Sequence, residues 1–163
     1  MCDTMISFGS LWSSDNCGVT QRQSNFGGAN NSRFAVGMQQ VGYIVSDAAG
    51  NSKSCNFSVG VVDLQPPAIV CPSSIQTNSD SSMCSALVGY TAPVGTDNCP
   101  GSLTTRTAGL ASGGAFSVGT TAVTYFVEDA SHQVSSCSFN ITVVDNEAPR
   151  LGLLLLFFVS QFD

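Results

Sequence analysis

The chain has 163 residues and a net charge of −6, and only 10% of its residues are charged, against about 25% in an ordinary globular domain. One lysine and four arginines cannot form the basic surface that a nucleic-acid backbone requires, which excludes this class of partner. Residues 1–15 lack the basic start and long apolar run of a signal peptide, and the apolar run at 151–159 is shorter than the roughly 20 residues of a membrane helix.

The first 64 residues are a partial copy of the segment that follows them. With an offset of 82 positions and no gap, 22 of residues 1–67 are identical to residues 83–149. A period this long corresponds to a whole domain. We therefore predict a partial domain at residues 1–64 and a complete domain at 65–146. The remaining residues, 147–163, form either an apolar tail or the truncated start of a third repeat.

The complete copy is predicted to consist of short β-strands separated by turns rich in Gly, Pro, Asp and Ser. The predicted strands are 68–71, 74–77, 84–91, 102–107, 121–127 and 134–144. Residues 110–115 are interpreted as a loop, 116–119 as a turn and 129–133 as a hairpin turn. Because no window shows helical periodicity, the predicted fold class is all-β. We expect tandem immunoglobulin-like antiparallel β-sandwiches, the first lacking its N-terminal strand.

Several motifs of the complete copy resemble those of the hyalin repeat, or HYR domain. They are Pro66-Pro67-Ala68-Ile69-Val70-Cys71-Pro72, Asp97-Asn98-Cys99, the run from Phe116 to Tyr125, and Asp129 followed by Cys137-Ser138-Phe139. The resemblance implies an extracellular module used for adhesion or as a spacer in multidomain proteins. It also implies partners that are other extracellular or matrix proteins, or neighbouring repeats. The family supplies no catalytic residues, and we predict that the chain is not an enzyme and needs no cofactor.

Seven cysteines in a charge-poor chain predict disulfides and an extracellular location. In a sandwich of this kind the first strand runs beside the last one, which brings Cys71 near Cys137. The separation of Cys84 and Cys99 recurs between Cys2 and Cys17, which favours one local loop in each copy. The predicted pairs are Cys2–Cys17, Cys84–Cys99 and Cys71–Cys137, with Cys55 free. The alternative pairs Cys71 with Cys84 and Cys99 with Cys137.

The alternative function is a ligand-binding array with calcium at the joints between domains. Asp63 and Asp145 precede the end of each domain, and Asp15 and Asp97 lie in loops. These four aspartates are the predicted calcium ligands, and several loops must converge because calcium takes about 6–8 oxygens. Their other interpretation is that each fixes its own loop.

Three sequons predict N-glycosylation of a chain secreted by a eukaryote, at Asn30, Asn56 and Asn140. The last two alternate with residues expected to face inward, so both are predicted to face solvent. The single histidine, His132, falls on a predicted turn and is interpreted as a solvated residue.

Overall fold

The computed structural model describes residues 2–9 and 12–151, with the side chains of residues 25 and 26 left out, and the structure given below refers to these residues. They form eleven β-strands. The strands are β1 (Asp3–Ile6), β2 (Val19–Phe26), β3 (Ser32–Ala35), β4 (Gly37–Asp47), β5 (Ser52–Val61), β6 (Ile75–Asn78), β7 (Ser85–Val88), β8 (Leu103–Ala108), β9 (Gly114–Ser117), β10 (Gly119–Glu128) and β11 (Val134–Val144). Over this part of the chain, nothing helical has both the length and the apolarity to cross a bilayer.

The first repeat consists of two sheets, β1-β3 and β2-β4-β5. Both sheets are antiparallel, and β4 is the central strand of the larger one. The residues of β4 that face the other sheet include Val41, which is fully buried. Val41 packs with Phe34 and Val59, and Ile6 and Phe8 are among the half-buried side chains around them. The two sheets therefore enclose one small apolar core, as the predicted sandwich requires.

The second repeat has the same plan with one strand added. Strands β7 and β9 pair with each other, and the larger sheet has the order β6-β11-β10-β8. Strand β6 runs parallel to β11, so the sheet has one parallel pair. The fold is thus all-β, built from tandem immunoglobulin-like sandwiches. Among the described residues, the first repeat has no counterpart of β6.

Strand β9 corrects the sequence-based assignment of residues 110–119. The pair Gly113-Gly114 was interpreted as loop and Phe116 as the start of a turn, yet 114–117 pair with β7 and Phe116 is fully buried. The glycines are used only at the edges of the strand, since Gly113 and Gly119 both have positive φ. The final strand, Val134–Val144, has the predicted bounds.

The core of the second repeat is the predicted one. Nine of the twelve residues predicted for it are buried, namely Ala86, Val88, Phe116, Val123, Tyr125, Val127, Phe139, Ile141 and Val143. The other three, Ile69, Ile75 and Tyr90, are half-buried. Alternation along β10 and β11 produces this result, because every second residue of a strand faces the same side.

The added strand explains a difference in burial between two equivalent aromatic pairs. Phe8 and Phe57 meet edge to face with ring centroids 5.2 Å apart, and Tyr90 and Phe139 do so at 5.1 Å. Phe139 is 4% exposed, whereas Phe57 is 37% exposed. Strand β6 lies beside β11, and no described strand pairs with the outer edge of β5. The first repeat therefore leaves part of its core open on that side.

The compact units do not follow the predicted domain boundaries. One unit consists of Met1–Val70 together with Pro93–Thr105 and Tyr125–Cys137. The other consists of Cys71–Ala92, Arg106–Thr124 and the chain from Ser138 onward. One end of the second repeat, with its Asp97 loop and Asp129 turn, thus packs in the same unit as the first repeat. The boundaries at 64 and 146 stay a prediction. The tail beyond Leu151 falls outside the described residues.

Candidate metal centre

Three aspartates from distant parts of the sequence meet where the first repeat ends. Asp63 follows β5, Asp97 lies in the loop before β8, and Asp129 follows β10. One carboxylate oxygen from each lies within 4.8 Å of the others. Asp63 is 7% exposed and Asp129 is 4% exposed. Two of the three carboxylates are therefore almost completely removed from solvent.

Local turns hold each carboxylate through one of its oxygens. Asp63 Oδ1 accepts the backbone N–H of Gln65 at 3.1 Å, and Asp97 Oδ2 accepts that of Cys99 at 2.7 Å. Asp129 Oδ1 accepts two backbone N–H groups, both at 2.8 Å, from the hairpin turn that follows it. Aspartate commonly stabilises turns in this way. The backbone thus fixes the position of all three side chains before any ligand is considered.

The second oxygens of Asp63 and Asp129 have no protein partner. Both Oδ2 atoms are buried and accept no hydrogen bond. The ion pairs of the described residues also leave the three carboxylates without an arginine or lysine partner. Two unit charges 4 Å apart repel each other by about 4 kcal/mol at an effective dielectric constant of about 20. The cluster therefore needs a cation from outside the chain.

The equivalent turn of the first repeat shows how such an oxygen is otherwise satisfied. Asp47 corresponds to Asp129, and its Oδ2 accepts a 2.8 Å hydrogen bond from the side-chain amide of Asn51. Those contacts hold the pKa of Asp47 below its usual value, chiefly the side-chain hydrogen bond from Asn51. In the second repeat Gln133 replaces Asn51 and donates instead to the backbone carbonyl of Asp63 at 3.0 Å. This exchange leaves Asp129 Oδ2 open.

A disulfide lies directly beside the cluster. Cys2 and Cys99 are bonded, with their Cα atoms 4.7 Å apart. Both sulfur atoms lie within 4.8 Å of a carboxylate oxygen of Asp63. A surface depression of about 260 Å³ is lined by these three residues and by Asn98, among others. The depression gives water access to the edge of the cluster.

This disulfide shows that two predicted pairs are wrong. Cys2 is bonded to Cys99, and Cys17 and Cys84 are free thiols, so neither Cys2–Cys17 nor Cys84–Cys99 forms. The reason is that the Asp97 loop brings Cys99 to the first repeat, where Cys2 stands. The alternative pairing through Cys84 is wrong for the same reason.

The remaining cysteines divide into a bonded and a free set. Cys71 and Cys137, which form the third predicted pair, are both disulfide-bonded. Cys55 is free and exposed. It lies on β5, the strand whose outer edge has no described neighbour.

The structure brings together two of the four predicted calcium ligands. Asp63 and Asp97 are in the cluster. Asp15 is exposed and accepts the backbone N–H of Cys17 at 2.8 Å, and Asp145 is exposed and accepts that of Glu147 at 3.0 Å. Neither belongs to the cluster. Asp129 was interpreted only as a turn residue; its signal in the sequence is that it ends a strand and recurs as Asp47.

The other predicted surface residues are solvent-accessible. Asn30, Asn56 and Asn140 are all exposed, and their glycosylation stays a prediction. His132 is exposed on the hairpin turn at a φ of 64°, where the first repeat has Gly50 at 89°. A 2.6 Å hydrogen bond from Glu128 and the charge of that residue hold the pKa of His132 above its usual value. The histidine contacts neither the cluster nor a nucleophile in its printed bonds.

Comparison with known proteins places these features in a family. The family model of the HYR domain matches residues 3–61 and 62–143. Hyalin of Strongylocentrotus purpuratus is 34% identical over 122 residues, which are 71% of this chain and 10% of that protein. Hyalin of Lytechinus variegatus is 34% identical over 116 residues, 69% of this chain and 22% of that protein. The chain thus spans less than a quarter of the curated relatives that it matches.

One solved structure is also similar in part. The extracellular cadherin domains 1–4 of protocadherin gamma B7 align with 79% of this chain and 42% of their own at 10% sequence identity. The TM-score of this alignment is 0.32.

Proposed function

The chain belongs to the HYR domain family, and from that premise we propose that it is a non-catalytic extracellular module whose repeats are held together by calcium. Its role is structural or adhesive, as a spacer in a larger protein, with other extracellular or matrix proteins and neighbouring repeats as partners. The disulfides support an extracellular location, because they persist in oxidising compartments. The observation that carries the calcium proposal is the cluster of Asp63, Asp97 and Asp129.

The separations within the cluster suit a calcium ion. Calcium binds oxygen ligands at about 2.3–2.6 Å, so two of its ligands are at most about 5 Å apart. The carboxylate oxygens of the cluster lie within 4.8 Å of one another. Three carboxylates provide three to six of the roughly 6–8 oxygens required. Water entering from the adjacent depression supplies the others.

Calcium suits this site better than magnesium or zinc. Magnesium demands near-ideal octahedral geometry and keeps several waters, whereas these carboxylates are held by three separate turns and are largely buried. Zinc prefers thiolate and imidazole ligands, but Cys2 and Cys99 are already joined in a disulfide. The all-oxygen donor set therefore favours a hard cation.

Calcium at this position has a mechanical consequence. Asp63 lies at the end of the first repeat, and Asp97 and Asp129 belong to the second. One ion bound by all three neutralises their mutual repulsion and joins the two repeats. The ion thereby limits bending at the joint, which is the property that a spacer or adhesive array needs.

Thermal unfolding in calcium and in chelator tests the proposal. Extracellular calcium modules bind with dissociation constants of about 10⁻⁴–10⁻³ M, so 10 mM calcium should stabilise the folded chain by about 1.4–2.7 kcal/mol. For a chain of this size we expect a rise in Tm of roughly 3–10 °C. The same concentration of magnesium is the matched control and should raise Tm much less. Equal midpoints in calcium and in chelator would contradict the proposal.

A further inference from the structure

The Cys2–Cys99 disulfide joins different positions of successive repeats. With the offset of 82 residues, Cys2 corresponds to Cys84 and Cys99 corresponds to Cys17. The two bonded cysteines are 97 residues apart, which is one period plus the spacing between Cys84 and Cys99. The two positions thus meet between repeats, while Cys17 and Cys84 are exposed free thiols.

The backbone holds Cys84 as it holds Cys2. The carbonyl of Cys2 accepts the N–H of Val36 at 3.3 Å, and the carbonyl of Cys84 accepts that of Val118 at 3.0 Å. These contacts differ by one period at both ends. The short sheets that follow also have the same register, with Asp3 opposite Ala35 and Ser85 opposite Ser117. Cys84 therefore occupies the local structure from which Cys2 forms its bond.

The backbone also holds Cys17 as it holds Cys99. The N–H of Cys99 donates to Asp97 Oδ2 at 2.7 Å, and the N–H of Cys17 donates to Asp15 Oδ2 at 2.8 Å. The same turn thus presents both thiols. Cys99 is 7% exposed where it meets Cys2, whereas Cys17 is exposed. The difference is that Cys99 has a partner from the other repeat.

We propose that Cys17 and Cys84 are the two halves of a repeating inter-domain disulfide. Cys84 bonds the cysteine at the Cys17 position of a repeat that follows, and Cys17 bonds the cysteine at the Cys84 position of a repeat that precedes. The partner is thus another HYR repeat in the same register. The inference rests on the family assignment and the proposed array, and it does not depend on calcium.

The bond forms by ordinary thiol–disulfide exchange. One thiolate attacks a small-molecule disulfide such as oxidised glutathione, which releases one reduced thiol and leaves a mixed disulfide. The second cysteine attacks the mixed disulfide and releases the second small thiol. The two protein thiols lose two electrons and two protons in total, and the small-molecule disulfide takes them up.

A tandem polypeptide of two full chains tests the inference. With a single residue between the copies, Cys84 of the first copy and Cys17 of the second are 97 residues apart, the same separation as in the Cys2–Cys99 bond. The polypeptide is oxidised with glutathione at low protein concentration and its free thiols are alkylated. Each copy has three free cysteines, so the inference predicts four alkylated thiols and not six.

Cleavage on the amino side of aspartate identifies the bond, because it places each of the seven cysteines in a separate peptide. We expect peptide 80–96, which contains Cys84, to be joined to peptide 15–46, which contains Cys17. Cys17→Ser in the second copy should abolish this product, and the same substitution in the first copy should leave it unchanged. The two variants are matched, since each removes one exposed thiol.

Two results would overturn the inference. One is six alkylated thiols in the tandem polypeptide, and the other is Cys84 bonded to any cysteine except Cys17 of the second copy. The oxidation is carried out in chelator as well as in calcium. A Cys84–Cys17 bond that forms in chelator supports the inference even when calcium has no effect on stability, so the two proposals fail separately.

Discussion

Replacing Cys2 and Cys99 together by serine should lower the free energy of unfolding by about 4 kcal/mol. The disulfide closes a loop across 97 residues, and in the chain-entropy model a loop of about 100 residues contributes about 4.7 kcal/mol. That is a large share of the 5–15 kcal/mol that stabilises a typical domain. Urea denaturation of the oxidised proteins, followed by two probes, measures the change.

The matched control replaces Cys17 and Cys84 by serine. Both are exposed free thiols at the equivalent positions, so their loss should change the stability of a single chain by less than about 0.5 kcal/mol. A large loss in this control, together with no loss on replacing Cys2 and Cys99, would show that the local pairs form instead.

Substituting asparagine for Asp63 or Asp129 should reverse the effect of calcium on stability. In chelator we expect each variant to be more stable than the parent by about 1–3 kcal/mol, because one of three clustered carboxylates loses its charge. The turn contacts remain, since an asparagine carbonyl can accept the same backbone N–H groups. In calcium the variant should gain little, while the parent gains about 1.4–2.7 kcal/mol.

Asp145→Asn is the control for these variants. Asp145 is the counterpart of Asp63 one period later, and it is exposed and outside the cluster. Its substitution should leave both the stability in chelator and the response to calcium unchanged within about 0.5 kcal/mol. Variants of Asp63 and Asp129 that are destabilised equally with and without calcium would indicate a purely structural role for the two carboxylates.

Much of the fold follows from local patterns in the sequence. Strand β11 was predicted with its bounds because alternation over eleven residues leaves one possible register for a buried face. Strand β9 was not, because it has only four residues and its glycine-rich entry resembles a loop. Its membership of the sandwich depends on pairing with β7, which lies almost thirty residues away. Short strands of this kind are determined by tertiary contacts more than by their own residues.

The site was predictable only in part, for a related reason. Asp63 and Asp97 stand out because of their places beside a domain boundary and before a conserved-looking cysteine of the repeat. Asp129 explains itself as a turn residue, and only the fold shows that one of its oxygens is left without a partner. The local role concealed the other one.

The cysteine pairs show a limit of repeated sequences. The spacing between Cys84 and Cys99 recurs between Cys2 and Cys17 whether each pair bonds within its own repeat or the bonds run from one repeat to the next. An offset of 82 residues preserves both arrangements equally. The Cys2–Cys99 bond distinguishes them, because it can exist only in the second.

Calorimetric titration of the calcium-free chain with calcium tests the central claim, that the aspartates at the joint bind a cation, most directly. The account predicts one site per chain with a dissociation constant of about 10⁻⁴–10⁻³ M, and loss of that site in Asp129→Asn. No binding heat up to 10 mM calcium, or the same titration curve for the parent and the variant, would contradict it.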